Sequence, residues 1–165
     1  MLELVDKSKL INVKIYYQIK KINNIEQLVV MKDEEVEKLI EANKNTLEGK
    51  EEKEEDIKDK LDIKTLETKW SLLNWQDKND ILEQSYSVAD PVTGMTQFGF
   101  FKYRQVVVQK ALKSWNIESV DNSGNKYSVP VNPQNISNLN STLGLALYEK
   151  YNSLTNYTDL ALGNL

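Results

Sequence analysis

Over residues 74–136, two tryptophans, Trp75 and Trp115, bracket a pair of amphipathic patterns joined by Asp90-Pro91-Val92-Thr93-Gly94. The later pattern is the stronger. From Phe98 onward, Phe101, Val108, Leu112 and Trp115, with Val107 and Ala111 beside them, recur near helical spacing and predict a helix. The earlier pattern puts Ile81, Leu82, Tyr86 and Val88 on one face of a helix running from Trp75 to about Val88, with Asn74 as its cap. The Pro91 ring pushes Asp90 away from the helical region, and Thr93-Gly94 makes a turn, so a loop ending near Gln97 is expected. Aromatic and aliphatic stripes of this kind are most often core, so Trp75 and Trp115 are expected to be buried anchors.

Toward the N-terminus the period changes. Ile11, Val13, Ile15, Tyr17 and Ile19 alternate with polar neighbours, the mark of a half-buried strand. Asn23-Asn24 supplies a turn and Ile25 to Met31 a second apolar run, which together predict an antiparallel hairpin. A lone hairpin is marginal in water and must pack on something. Asp33 is placed as an N-cap, with Glu34 and Glu35 in a first turn where negative charge suits the helix dipole. With Val36, Leu39, Ile40 and Leu47 on one side, a helix from about Glu34 to Leu47 is expected, ended by Gly49. Glu48 to Asp62 is almost wholly charged, with Ile57 and Leu61 as its apolar positions, and predicts a solvated helix or a mobile linker.

Past Trp115, Asp121-Asn122-Ser123-Gly124-Asn125 is a turn sequence between short β-like pieces, so a small loop or hairpin is expected. Asn132-Pro133 starts a short helix through Leu139, and Ser141 caps a last one from Thr142 to Asn152, leaving the final dozen residues loosely held. The sum is an α+β chain, mainly helical, in which an N-terminal β-hairpin precedes a compact helical module. Its expected divisions are 1–47 (hairpin plus helix), 48–69 (charged helix or linker) and 70–165 (helical module with a short β-like loop).

Chemistry is bounded chiefly by what the chain lacks. With 165 residues it is long enough for one main core, and with no cysteine and no histidine it has no disulfide, thiol nucleophile, imidazole base or zinc site of the usual nitrogen and sulfur ligands. Its carboxylates are numerous enough to cluster by chance, so no enzyme activity, catalytic residue or cofactor is expected. Asp121, Asn122, Ser123 and Asn125 tempt toward calcium, but the spacing of a calcium loop and its closing glutamate are missing, and no metal is expected. Six glycines form no phosphate-cradling loop. The net charge of -4 gives no electrostatic reason to approach nucleic acid or an anionic membrane, and Lys102, Arg104, Lys110 and Lys113 around Tyr103 are expected to be a solvated helix face, with a small contact to nucleic acid or an acidic partner as the alternative. Charge within Met1-Leu2-Glu3-Leu4-Val5-Asp6 and the lack of a membrane-length apolar run predict a cytosolic protein.

The order Trp75, Asn79-Asp80, Ser85, Asp90-Pro91-Val92-Thr93-Gly94, Phe98, Tyr103, Leu112, Trp115, then Pro130, Ile136 and Leu139, resembles the tail assembly chaperones of tailed bacteriophages. The likeness covers roughly residues 70 to 152. It implies a non-enzymatic protein of the host cytoplasm that binds tape measure and tail tube proteins while the tail is built, keeping apolar segments from aggregating. Partner-binding residues are then expected among Trp75, Tyr86, Phe98, Phe101, Tyr103 and Trp115, at the outer edge of the Trp75 and Trp115 helices. The charged stretch Glu48 to Asp62 departs from the pattern as an insertion. Two other readings stand beside this one: a structural virion protein at the head-tail joint or tail, which predicts a homo-oligomer, and a carboxylate-dependent enzyme, which requires Asp or Glu residues converging in one pocket.

Overall fold

The computed structural model describes residues 5–44, 46–47, 50–51 and 53–155. In chain order the elements are β1 (Leu10–Ile22), β2 (Ile25–Met31), α1 (Asp33–Asn43), β3 (Thr46–Leu47), β4 (Lys50–Glu51), α2 (Glu54–Lys60) and β5 (Lys64–Ser71). They continue with α3 (Trp75–Ser85), β6 (Tyr86–Asp90), β7 (Met95–Phe98), α4 (Phe100–Ala111), β8 (Leu112–Trp115), β9 (Glu118–Val120), β10 (Lys126–Ser128), α5 (Pro133–Ser137) and α6 (Ser141–Thr155). The largest sheet has four strands in the order β2-β1-β5-β8, and β3-β4, β6-β7 and β9-β10 are two-stranded.

An α+β fold is therefore present, but the expectation of a mainly helical chain is overturned. Tyr86 and Val88 do not extend the helix begun at Trp75. They belong to β6, which pairs antiparallel with β7 from Tyr86↔Phe98 to Asp90↔Met95. Leu112 and Trp115 likewise leave the following helix for β8, paired antiparallel with β5 at Trp70↔Leu112 and Thr68↔Trp115. In both places the apolar spacing fits either period, and strand pairing supplies backbone hydrogen bonds that local periodicity does not foresee.

The chain divides into two compact units, Lys14–Glu67 and Met1–Val13 with Thr68–Leu165. In the first, β1 and β2 form the expected hairpin, in register from Tyr16↔Met31 to Ile22↔Ile25. Asn23 and Asn24 turn it at φ 51° and 63°, the left-handed pair of a tight hairpin turn, which asparagine tolerates better than most residues. Helix α1 opens on three acidic residues, Asp33, Glu34 and Glu35, but Lys32 rather than Asp33 is the capping residue, and no side chain caps it. The helix stops at Asn43 instead of Leu47, because Asn43 turns its amide back onto the Leu39 carbonyl (2.7 Å) and Lys44 takes an extended conformation. Gly49, the expected stop, lies outside the described residues, as does Glu48. The charged stretch contributes α2, whose Ile57 is fully buried with Met31, Val36, Ile40 and Ile63. Each such side chain contributes about 1.5–3 kcal/mol by leaving water. Tyr16, Leu39 and Leu61 close that core at its margin.

The second unit is organised around a tryptophan outside the expected anchors. Trp70 on β5 has no exposed surface, whereas Trp75, the expected core anchor, is 81% exposed. Trp75 is the first residue of α3, immediately after the capping Asn74, and that first turn faces solvent. Ile81 from α3, Val107 and Ala111 from α4 and Leu147 from α6 are fully buried, and α4 packs on α3, α5 and α6. Asn132 caps α5 by accepting from the Asn135 N–H (2.8 Å), with Pro133 in the first turn, as the sequence predicts.

Candidate functional site

Of the six residues singled out for partner binding, three come together. The Tyr86 and Phe98 rings meet edge to face at 5.4 Å, and Phe98 lies 5.6 Å from Tyr103, so the hairpin β6-β7 is pinned to the start of α4 through aromatic contacts. Phe100 completes the cluster, stacked 6.4 Å from Tyr103. Gly99 permits the junction: its N–H donates to the Ser85 carbonyl at 2.8 Å, and a Cβ there would sit 3.3 Å from that oxygen. Within the cluster Tyr103 is buried, Phe98 half-buried and Tyr86 at the edge. Tyr103 is thus part of the core that holds the surface in place.

Trp75, Phe101 and Trp115 stand apart from this cluster. Trp115 is on β8 and half-buried, with its indole N–H donating to the Val129 carbonyl at 2.6 Å, so it holds the chain segment that follows β10. Phe101 is 85% exposed. The hairpin adds more apolar surface, since Val88, Val92 and Met95 are all exposed. Its turn is tied by Asp90, whose carboxylate accepts from the Thr93 hydroxyl (2.7 Å) and the Val92 N–H (2.8 Å) and is held below the usual carboxylate range by those bonds, the hydroxyl first.

A concavity that the sequence did not announce lies beside Phe101. It holds about 490 Å³ and is walled by α4, α5 and α6, through Phe101, Arg104, Val108, Ile136, Leu145 and Tyr148 among others. Phe101, Arg104, Gln105 and Val108 recur at helical spacing along one stripe of α4, while Tyr103, Val107 and Ala111 form its core face. Phe101 and Val108, two turns apart and offset from the Tyr103, Val107 and Ala111 face, are the sequence signal of this second stripe, with polar Arg104 and Gln105 between them.

The charged residues are largely committed. Lys110 pairs with Asp80 at 2.9 Å, and that bond, with one from the Gln76 amide, holds Asp80 below the usual carboxylate range. Lys113 donates to the Lys110 carbonyl (3.0 Å). Lys7 pairs with Asp77 at 2.8 Å. Arg104 differs: its guanidinium lies 4.3 Å from the Phe100 ring centre and 5.6 Å from that of Tyr148, and its buried Nε has no hydrogen-bond acceptor among the described residues. Asp121 closes a turn by accepting from the N–H groups of Asn125 (2.9 Å) and Ser123 (2.8 Å). Among the described residues no group of three or more Asp and Glu side chains is placed to hold a metal ion, and no helix is long and apolar enough to cross a membrane.

Comparison with protein-family models, with curated proteins and with solved structures finds no match to this chain.

Proposed function

We propose that the protein is a non-enzymatic assembly factor of a tailed bacteriophage, binding tape measure or tail tube proteins in the host cytoplasm while the tail is built. The observation that carries the reading is the display of large aromatic side chains on an otherwise packed unit, Trp75 at 81% and Phe101 at 85% exposure. Large apolar groups in water are ordinary when scattered singly, but here Phe101 rims a concavity with apolar walls and the neighbouring hairpin exposes three more apolar residues. Such surfaces mark protein contact sites. The ordered sequence pattern from Trp75 to Leu139 supplies the phage context.

The test is mass spectrometry of purified phage particles together with affinity capture of the tagged protein from infected cells. Absence from particles and co-purification with the tape measure protein, lost in a Trp75→Ser/Phe101→Ser double variant that remains folded, supports the reading. Presence in particles at fixed stoichiometry overturns it in favour of a structural component of the head-tail joint or tail.

A further inference from the structure

The concavity between α4, α5 and α6 contains a charge that no side chain among the described residues neutralises. Its walls are mainly apolar, from Phe101, Val108, Ile136, Leu145 and Tyr148, and Arg104 lies among them. Arginine in such surroundings is ordinarily paired, because covering a guanidinium without a counter-charge or acceptor is expensive. Arg104 makes no ion pair and no hydrogen bond among the described residues. It rests instead on the Phe100 and Tyr148 rings, with its Nε buried and without an acceptor. The two rings hold the cation through their π faces and limit its rotamers, so little ordering entropy remains to be lost when an anion arrives.

Resting on the protein-docking reading above, we infer that this concavity receives an apolar segment of a partner protein that carries one carboxylate among its apolar anchors, the carboxylate pairing with Arg104. A purely apolar segment would cover Arg104 and leave its donors without acceptors. A basic segment would add a second positive charge. A carboxylate accepts from the planar donor fork in two parallel bonds, the strongest form of charge-assisted pairing available to arginine. The cavity of about 490 Å³ accommodates several apolar side chains beside it, in the manner of an amphipathic helix laid into a groove.

The experiment selects from a random library of displayed 16-residue peptides on the immobilised full chain, then measures the winners by fluorescence anisotropy. Enriched peptides should combine several apolar residues with an Asp or Glu. Changing that acid to its amide should weaken binding to the wild-type protein about tenfold. The same change should have no effect on an Arg104→Met variant, which keeps the alkyl stem over the rings, and an intermediate effect on Arg104→Lys, which keeps the charge without the fork. A Leu145→Glu variant, which puts a carboxylate in the cavity wall, should compete with the peptide and weaken it further.

Three results overturn the inference. Enriched peptides without a carboxylate, or no enrichment at all, remove the chemistry. Peptides whose binding is lost in Trp75→Ser but unchanged in Arg104→Met and Leu145→Glu place the docking surface elsewhere and leave the assembly role intact. Concentration-dependent self-association in sedimentation, abolished by Arg104→Met, makes the concavity an interface between copies of this chain. Failure of the assembly role itself is read separately, from the infected-cell capture.

Discussion

The Trp70 indole and the Tyr151 phenol stack at 4.6 Å with an angle of 20° between their planes, joining β5 to α6 across 81 residues of chain. Both rings are buried, and both polar ends are satisfied. The indole N–H donates to the Thr68 hydroxyl (2.6 Å), which donates in turn to the Val13 carbonyl (2.7 Å), while the Tyr151 hydroxyl donates to the Ser71 carbonyl (2.9 Å). The pair therefore sets how α6, one wall of the concavity, lies against the strand, and ties fold stability to site geometry.

Removing the Tyr151 hydroxyl separates the stack from the hydrogen bond. Tyr151→Phe preserves the ring contact but leaves the Ser71 carbonyl without that donor, at a cost of about 1–2 kcal/mol. Tyr151→Ala also loses the stack and opens a cavity, costing about 3–5 kcal/mol. Urea unfolding followed by the fluorescence of the buried Trp70 measures both. Equal losses would mean that the ring contributes little.

The start of α3 is held by a reciprocal cap, in which the Asn74 side chain accepts from the Asp77 N–H (2.9 Å) and the Asp77 carboxylate accepts from the Asn74 N–H (3.1 Å). Asn74→Ala should cost about 1 kcal/mol, while Asn74→Asp should be close to neutral. Burial pushes the Asp77 carboxyl upward, but the bonds from Lys7 and the Asn74 N–H outweigh it, and the net shift is downward. A carboxyl depressed in the folded state adds stability above its unfolded value of about 4, and that contribution is lost as the pH falls toward the folded value. The stability gap between wild type and Asp77→Asn should therefore hold above about pH 5 and narrow as the pH falls below about 4 toward the folded value, as measured by urea midpoints. A gap independent of pH would show that Lys7 and the Asn74 N–H do not favour the ionised Asp77 in the folded state.

The elements legible in sequence were those whose signals are local. Alternation over Ile11 to Ile19 with Asn23-Asn24 gave the first hairpin, and Asn74 and Asn132 gave two caps. Strands β6 and β8 were hidden because Tyr86, Val88 and Leu112 also continue a helical period, and only a distant or facing strand decides between the two. Trp70 was overlooked for a similar reason: Leu66, Thr68 and Trp70 alternate as a buried strand face, but the charged neighbours Glu67 and Lys69 made the segment look solvated. At the site, the exposed Phe101 and the Tyr86-Phe98-Tyr103 cluster lay among the chosen residues. Arg104 did not, because its importance depends on α5 and α6 returning beside α4, which no local pattern contains.

Gly94 turns the β6-β7 hairpin at φ +68°, and a Cβ there would meet nothing within 4 Å. The cost of Gly94→Ala is then conformational, about 1–2 kcal/mol for a left-handed residue with a side chain. Because the hairpin is mostly exposed, that cost should appear as local opening: faster amide exchange at paired β6 and β7 residues such as Val88 and Gln97, with little change in the global urea midpoint. Gly94→Asn should exchange nearly as slowly as wild type. A fall in the global midpoint as large as the local effect would show that the hairpin opens only with the rest of its unit.

Gly144 separates stability from binding. It sits within α6 and lines the concavity, and an added Cβ would lie 3.9 Å from the Leu139 Cδ2, an ordinary contact. A glycine inside a helix costs roughly 0.5–1 kcal/mol relative to alanine, so Gly144→Ala should raise the unfolding free energy measured in urea by that amount. The same methyl enters the space a partner segment would fill. Peptides selected on the wild-type protein should therefore bind the more stable variant less tightly, the opposing pair of effects expected where a chain keeps a destabilising residue for contact with a partner. A stabilised variant with undiminished peptide binding would move the contact off this part of α6 toward Arg104 and Phe101.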